Sequence, residues 1–385
     1  MNLSRRGFVQ GSLFGAASAL VCDRSIQAPL RAEERSDDTP PAVLHQTDLF
    51  HPHCDPDDHF DLAVLFALAQ KGWIDPLGVI LDYPPADGAG GGDPAIAALA
   101  QLNRICARAV PGVVGSSMKM TSVDDSFADA PARELAAVKM ILDTLRRSEK
   151  PVRFKAGSSA PDIAVATLRE PDLFREKCAG IYLNCGSAFP NPERPDQVEY
   201  NITVNPAGQA ALFNKVPCPV YWFPCWHTTL NWRSGGYSTY FSAPHEVLLE
   251  GVSPAFRNFM YYMFSRSADL SWLRFLDKSL EERQWLETIR SNNGGSRALW
   301  ATASLLTLAG RTVTRDGQIV PSHEVDPAAA LFRLENIKVH ADERGAITWS
   351  ACEEDTGRKI FHVLDDERYP SAMAKAVNTL FREFE

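Results

Sequence analysis

The chain has 385 residues, of which 45% are hydrophobic, so it can bury a substantial core as one large domain or two smaller ones. Its formal net charge of -9 and the lack of any Lys/Arg run argue against nucleic acid as a partner. Eight cysteines without CxxC spacing do not predict a disulfide framework.

The N-terminal segment has the features of an export signal. Arg5 and Arg6 are adjacent, a mildly apolar stretch follows at residues 8–21, and the Ala-Ser-Ala at residues 17–19 offers a cleavage site. This pattern resembles a twin-arginine signal over residues 1–28 and predicts a periplasmic or secreted protein. The apolar stretch is too short for a stable membrane span. An uncleaved anchor and lipidation of Cys22 are the alternatives.

Apolar runs alternate with amphipathic helical patterns after a polar, Pro-rich spacer at residues 29–42, which we expect to be disordered. We predict a domain over residues 43–320. Its predicted strands lie at 43–49, 77–82, 110–114, 152–156, 180–184 and 219–223, and its predicted helices at 58–71, 93–108, 130–147, 160–169 and 206–214. This order is typical of an α/β protein with a doubly wound, mostly parallel open sheet.

The C-terminal third has a different pattern. Aromatic residues at helical spacing mark residues 232–300, and we interpret them as packing residues rather than a cofactor site. Alternating runs at 332–339, 346–350 and 359–363, followed by a helix at 370–384, predict a small antiparallel β-rich addition. We expect this addition, residues 321–385, to pack on the same domain.

Acidic residues are concentrated where the first predicted strand turns into the first helix. They are Asp48 at the strand end, then Asp55, Asp57, Asp58 and Asp61. Ligands of parallel sheets bind outside the carboxyl ends of the strands, and carboxylate oxygens are the ligands that Ca²⁺ and Mg²⁺ prefer. Helix capping explains one or two acids at such a position but not the whole cluster. The sequence therefore predicts a functional site here.

Two segments resemble the inosine-uridine preferring nucleoside hydrolase family. TDLFHPHCDPDDHFDLAVLFALA looks like an expanded form of the family's aspartate-rich opening, and VEYNITVNPAGQAALF is similar to its Glu-Phe-Asn segment and small-residue helix. The segments between them come in the family's order, and the resemblance covers residues 43–310. It implies a Rossmann-like sheet of the nucleoside hydrolase type and the hydrolysis of N-glycosidic bonds in ribonucleosides or related ribosides.

The resemblance also implies residue roles. The opening acids would hold a Ca²⁺ that binds the ribose hydroxyls, and one of them would activate the attacking water. We predict the metal ligands Asp48, Asp55 and Asp58, and the catalytic carboxylates Asp55 and Asp57. The predicted substrate-binding residues are Asp82, Glu199, Tyr200, Asn201 and His227. Of these, Asp82 stands where the family has Asn, and His227 is either a proton donor to the leaving group or a packing residue.

The resemblance fails late in the chain. The family closes its metal site with a His-Asp pair at the start of an apolar helix, and within SNNGGSRALWATASLL the corresponding place is predicted at Arg297 and Ala298, without an acid. Asp48, Asp61 or Asn292 could replace the missing carboxylate. Alternatively, Arg297 could neutralise the acids itself.

Three functions therefore remain open. The first is the metal-dependent riboside hydrolase, the second a catalytically silent sugar- or nucleoside-binding protein of the same fold, and the third a hydrolase of another glycoside. Each takes a small sugar-containing molecule as its partner, and the family's dimers and tetramers suggest a homo-oligomer. His51, His53 and His59 offer ligands for a transition metal instead of Ca²⁺, with spacing too generic for a zinc site.

Overall fold

Strands and helices alternate along the chain as the sequence predicts. The computed structural model describes residues 39–49, 56–82, 92–190, 197–228, 236–327 and 329–384. The strands are β1 Ala42–Thr47, β2 Asp75–Leu81, β3 Gly112–Val114, β4 Val152–Ala156, β5 Cys178–Asn184, β6 Ser187–Phe189, β7 Val220–Phe223, β8 Trp226–Thr228, β9 Phe241–Pro244, β10 Ser296–Leu299, β11 Arg311–Val313, β12 Ile319–Pro321, β13 Phe332–Ala341, β14 Ile347–Ala351 and β15 Arg358–Val363.

The helices cover much of the remaining chain. They are α1 Pro56–Gln70, α2 Gly92–Ile105, α3 Ala136–Arg147, α4 Pro161–Arg169, α5 Pro171–Lys177, α6 Tyr200–Val204, α7 Pro206–Asn214, α8 His245–Leu248, α9 Pro254–Phe264, α10 Trp272–Phe275, α11 Glu282–Ser291, α12 Thr302–Leu308 and α13 Tyr369–Phe381. Short 3₁₀ turns occur at Ala132–Leu135, Asn292–Gly295 and Ser322–Glu324. The predicted helix at 130–147 thus begins with a 3₁₀ turn.

A nine-stranded sheet, with the order β14-β13-β15-β7-β5-β4-β1-β2-β3, organises the described residues. The strands from β15 to β3 in that order are parallel, whereas β13 and β14 are antiparallel. From β1 the chain runs outward through β2 and β3 and then returns to the other side of β1 through β4, β5 and β7. This doubly wound, mostly parallel sheet confirms the predicted fold class. Its direction changes between β1 and β4, the place where such sheets bind ligands.

The register of the central strands brings their carboxyl ends to one edge. In β1, Thr47 pairs with Leu81 of β2 and Gln46 pairs with Ala156 of β4. The residues that follow these three strands, Asp48, Asp82 and Gly157, therefore emerge side by side.

Apolar side chains cover both faces of the sheet. One hydrophobic cluster joins the sheet to α1, α12 and α13, and the other joins it to α3, α4 and α7. From Phe60 to Ala69, α1 is apolar on every side except at Asp61, and it is buried throughout. A helix enclosed in this way is fixed firmly, so the acids of its first turns have a defined position.

The C-terminal strands form the antiparallel addition that the sequence predicts, and they do so by lengthening the central sheet. β15 pairs in parallel with β7, and β13 and β14 follow as its antiparallel edge. In the aromatic region, Phe256, Tyr262, Phe275 and Trp285 are buried packing residues, as expected. Within the described residues, no helix combines the length and apolarity that a membrane crossing requires.

Candidate functional site

A cavity of about 250 Å³ opens at the carboxyl ends of β1, β4, β5 and β7, where the strand order changes direction. Its described lining residues are Asp48, Asp57, Asp58, Asp61, Gly157, Asn184, Glu199, Tyr200, Asn201, Cys225, Trp226, Trp300 and Ala301. Six predicted site residues therefore line one space together with Asp61, namely Asp48, Asp57, Asp58, Glu199, Tyr200 and Asn201. Asp55, His51 and His53 lie outside the described residues.

Asp48 and Asp58 form the most buried part of the acidic wall. The two carboxyl groups share a hydrogen bond, and Asp58 also accepts one from the Thr47 hydroxyl at 3.0 Å. The second oxygen of Asp48, Oδ1, is buried without a hydrogen-bond partner. Burial and the neighbouring Asp57 carboxylate raise the pKa of Asp58 to about 7. Burial, with Asp58 and Asp82 nearby, raises the pKa of Asp48 well above its usual range.

Asp61 serves both the cavity and the fold. One oxygen accepts a hydrogen bond from the backbone N–H of Ala301 at 3.3 Å, and the other accepts one from the Thr302 hydroxyl at 3.4 Å. Ala301 precedes α12 and offers no side-chain cap of its own. Asp61 therefore supplies the acceptor that the start of α12 lacks.

The opposite wall is built around Glu199, which caps α6. Its carboxylate accepts hydrogen bonds from the backbone N–H groups of Gly186 at 2.7 Å and Asn201 at 3.1 Å. Asn201 in turn donates from its side chain to the carbonyl of Asn184 at 3.2 Å. Burial raises the pKa of Glu199, although these backbone donors oppose the rise. Tyr200, beside them, is 42% exposed at the cavity rim.

Asp82 departs from its predicted role. It is absent from the described lining of the cavity. One carboxylate oxygen accepts hydrogen bonds from the Ser159 N–H at 3.0 Å and the Ser159 hydroxyl at 2.5 Å. The other accepts one from the Gln46 side-chain amide at 3.2 Å. Substrate contact would require these buried bonds to break. We therefore assign Asp82 to the support of the strand ends rather than to the substrate.

His227 is also outside the described lining. Its ring packs edge-on against Phe189, with centroids 5.1 Å apart, and lies parallel to the Tyr237 ring at 6.3 Å. Burial lowers the pKa of this half-buried ring. The geometry favours the packing interpretation of His227 over that of a proton donor.

Arg297 is not among the described residues that line the cavity. It lies in β10, which pairs with β9, and its guanidinium donates to the side chain of Asn292 at 2.8 Å. The helix start that reaches the cavity is three residues further on, where Trp300 and Ala301 precede α12. At the start of α12, where the resemblance places the family's late His-Asp pair, the chain thus has Trp300 and Ala301 and no acid.

A lysine that sequence reasoning missed lies behind the acidic wall. Lys155, the fourth residue of β4, is fully buried, and its ammonium has no hydrogen-bond partner. A Cβ built on Gly157 of the cavity wall would lie 2.9 Å from Lys155 Nζ and 4.0 Å from Asp58 Oδ1. Burial lowers the pKa of Lys155, and the carboxylates of Asp61, Asp58 and Asp48 oppose that change.

The described residues do not by themselves form a ligand set for the Ca²⁺ that the resemblance implies, and Asp55, a predicted ligand, lies outside them. In the part of the chain that the structure describes, no group of three or more His, Cys, Asp or Glu side chains is arranged to hold a metal. Ala301 stands where the last carboxylate ligand is expected, and a buried ammonium already lies beside the acids. His59, the one described member of the histidine alternative, is buried near Phe259 and does not line the cavity.

Solved structures of nucleoside hydrolases resemble this chain over almost their whole length. The purine-preferring ribonucleoside hydrolase from Gardnerella vaginalis is 12% identical, with 89% of this chain and 99% of that one covered and a TM-score of 0.50. The chain has the nucleoside hydrolase fold. The inosine-uridine preferring nucleoside hydrolase from Bacillus anthracis is 15% identical, with 89% and 99% covered and a TM-score of 0.47.

An inosine-guanosine nucleoside hydrolase gives a similar result. It is 14% identical to this chain, with 88% of this chain and 98% of that one covered and a TM-score of 0.48. No protein-family model and no curated protein matches the sequence. The likeness to the Gardnerella vaginalis enzyme confirms the predicted fold. At such low identity it assigns no role to an individual residue, so those roles are argued from the geometry of the cavity.

Several cavity residues escaped the sequence analysis, though some left a signal. Gly157 and Asn184 stand at the ends of β4 and β5, where the rule that ligands bind at strand ends would have found them. Lys155 is a charged residue in a buried strand, and lysine is rarely fully buried unless its charge is paired. Trp226 and Trp300 carry no such signal, because nothing in their surroundings separates them from other aromatic residues.

Proposed function

We propose that this chain hydrolyses the N-glycosidic bond of ribonucleosides or related ribosides. The observation that carries the proposal is the cavity itself, in which carboxylates from the start of α1 face the Glu199 and Asn201 wall, with Trp226 and Trp300 beside them. The export signal predicted over residues 1–28 would take this activity to the periplasm or the medium.

The chemistry requires negative charge close to the sugar. Cleavage of an N-glycosidic bond passes through an oxocarbenium-like state, which nearby carboxylates stabilise while water attacks the anomeric carbon. Asp57 is only half-buried and faces the cavity, so we assign it the activation of that water. Asp55 is retained as the second predicted catalytic carboxylate.

The other walls suit the two halves of a riboside. Asn201 can donate a hydrogen bond to a sugar hydroxyl. Glu199 can accept one from a sugar hydroxyl while it keeps its hydrogen bonds from the backbone N–H groups of Gly186 and Asn201. The flat faces of Trp226 and Trp300 suit an aromatic base as leaving group. A cavity lined by both acids and indoles fits a riboside better than a simple alkyl glycoside.

A panel of nucleosides and simple glycosides tests this proposal, with release of the base or aglycone measured chromatographically. We expect Asp57→Asn to lower kcat/KM for nucleosides by about 10²- to 10⁴-fold, the usual contribution of a general base. Asp129→Asn, at an exposed position, is the matched control and should retain full activity. Wild-type kinetics in Asp57→Asn would remove Asp57 from the mechanism, and cleavage of glycosides alone would favour the other hydrolase.

Ala301 supports a second candidate function, the silent binding protein. Without an acid at that position the chain lacks a residue that the resemblance places in the reactive site. Calorimetric titration with nucleosides distinguishes the two: binding heat without any base release after prolonged incubation would establish the binding protein. Turnover in the same sample would exclude it.

A further inference from the structure

The wall of acids poses an electrostatic problem. Asp48, Asp58 and Asp61 are each at most 8% exposed, and Asp57 is close to all three. Carboxylates buried together repel one another, and leaving water is costly for each of them. A stable fold therefore requires either a cation among them or extensive protonation.

Lys155 supplies a positive charge that acts on these acids. The other basic group close to this part of the strand, His45, is neutralised by burial and by Lys155 itself, which lower its pKa. Lys155 acts on both Asp58 and Asp61, where its charge opposes the effect of burial on their pKa values. Its position is fixed, since β4 pairs with β1 on one side and with β5 on the other.

The absence of a side chain at Gly157 leaves room for the Lys155 ammonium. Gly157 has no Cβ, and one built there would approach Lys155 Nζ to 2.9 Å, so a larger residue would displace the charge. A lysine is a poor choice for the interior unless its charge is used, because burying it unpaired is strongly unfavourable. The ammonium has three donors and no hydrogen-bond partner among the described residues, and the carboxylates of Asp61, Asp58 and Asp48 favour its charged form.

We propose that the Lys155 ammonium is the resident cation of this site and takes the place of a divalent metal. The missing acid at Ala301 then has a direct explanation. One positive charge compensates fewer carboxylates than a divalent ion does, so a site built around lysine needs one acid fewer. The inference concerns the charge balance of the cavity and holds for a hydrolase and for a binding protein alike.

Calcium titration of chelator-treated protein tests the proposal, with melting temperature and calorimetric heat as readouts. The variants are Lys155→Met, which keeps the length of the side chain and removes its charge, and Lys155→Met combined with Ala301→Asp. Lys139→Met is the matched control, because the Lys139 side chain is 76% exposed. About 1 mM Ca²⁺ exceeds the dissociation constants of most protein calcium sites.

We expect no heat and no thermal shift for the wild type and for Lys139→Met. Ca²⁺ should raise the melting temperature of the double variant by several degrees, with binding near one ion per chain. Should Lys155→Met unfold in chelator, Ca²⁺ is expected to restore the folded state, most completely when Ala301→Asp is also present.

Two results would overturn the proposal. One is stoichiometric Ca²⁺ binding by the wild type with a rise in its melting temperature, because the acids would then hold a metal beside Lys155. The other is a Lys155 variant, single or double, that gains neither Ca²⁺ binding nor folding in the presence of Ca²⁺. Neither readout depends on hydrolysis, so failure of the proposed function leaves the test intact.

Discussion

Two groups of buried acids lie at the same edge of the sheet, and they are treated in opposite ways. Asp82 and Asp162 are surrounded by donors: the Gln46 amide reaches both, Ser159 donates to Asp82, and the backbone N–H of Ser116 donates to Asp162. Asp48, in the cavity, has an oxygen without any partner. The first pair uses its acceptors within the fold, whereas Asp48 keeps one acceptor unused beside the cavity.

The difference explains why a count of acids is a poor guide to a site. All of these carboxyl groups are buried, and burial raises the pKa of each. Only their hydrogen-bond partners separate the supporting acids from the cavity acids. Buried acceptors in a protein are normally satisfied, so an unsatisfied one beside a cavity indicates a binding function.

Loss of a supporting acid should cost more stability than loss of a cavity acid. Asp162→Ala leaves the Ser116 N–H and the Gln46 amide without their acceptor, and we expect the free energy of unfolding to fall by about 3 kcal/mol. Asp48→Asn keeps the shape and can still donate to Asp58, so its effect should stay within about 1 kcal/mol. Chemical denaturation at neutral pH measures both. Equal losses in the two variants would remove the distinction.

The pH dependence of stability sharpens the same comparison. Burial, followed by the nearby Asp82 charge, raises the pKa of Asp162 to about 8. The folded protein therefore keeps a proton that the unfolded chain releases near pH 4, and stability falls as pH rises from about 4 to 8, by at most about 1.4 kcal/mol per unit from this group. Asp162→Asn should flatten that slope, as denaturation midpoints at several pH values would reveal. An unchanged slope would show that Asp162 ionises normally.

The sequence predicted the central strands and helices closely, because buried parallel strands and amphipathic helices have strong patterns. The strand at 152–156 and the helix at 206–214 agree with the structure to the residue. The short strands β6, β8, β9 and β10, which form two separate two-stranded sheets, were not predicted, since three or four residues are too few to show a periodicity.

The site was predicted less completely, for reasons that lie in the fold. The resemblance placed the late pair at Arg297 and Ala298, whereas α12 begins at Thr302, with Asp61 of α1 as the acceptor at its start. The resemblance also assigned Asp82 to the substrate, and the sequence gives no sign of its donor Ser159, which is 77 residues away. Such partners follow from strand order, which local patterns do not give.

The smallest effect is expected at His227, which lies outside the described lining. His227→Ala removes ring contacts with Phe189 and Tyr237 and the acceptor for the Tyr237 N–H, and none of these three residues is among the described lining. We expect kcat/KM for nucleosides to change little, against the ~10²- to 10⁴-fold loss that removal of a general acid produces. Steady-state kinetics across the pH range is the measurement, because a general acid would also remove the alkaline limb of the profile. Loss of the alkaline limb in His227→Ala would show that His227 acts as a general acid. The reactive site would then extend beyond the described lining of the cavity.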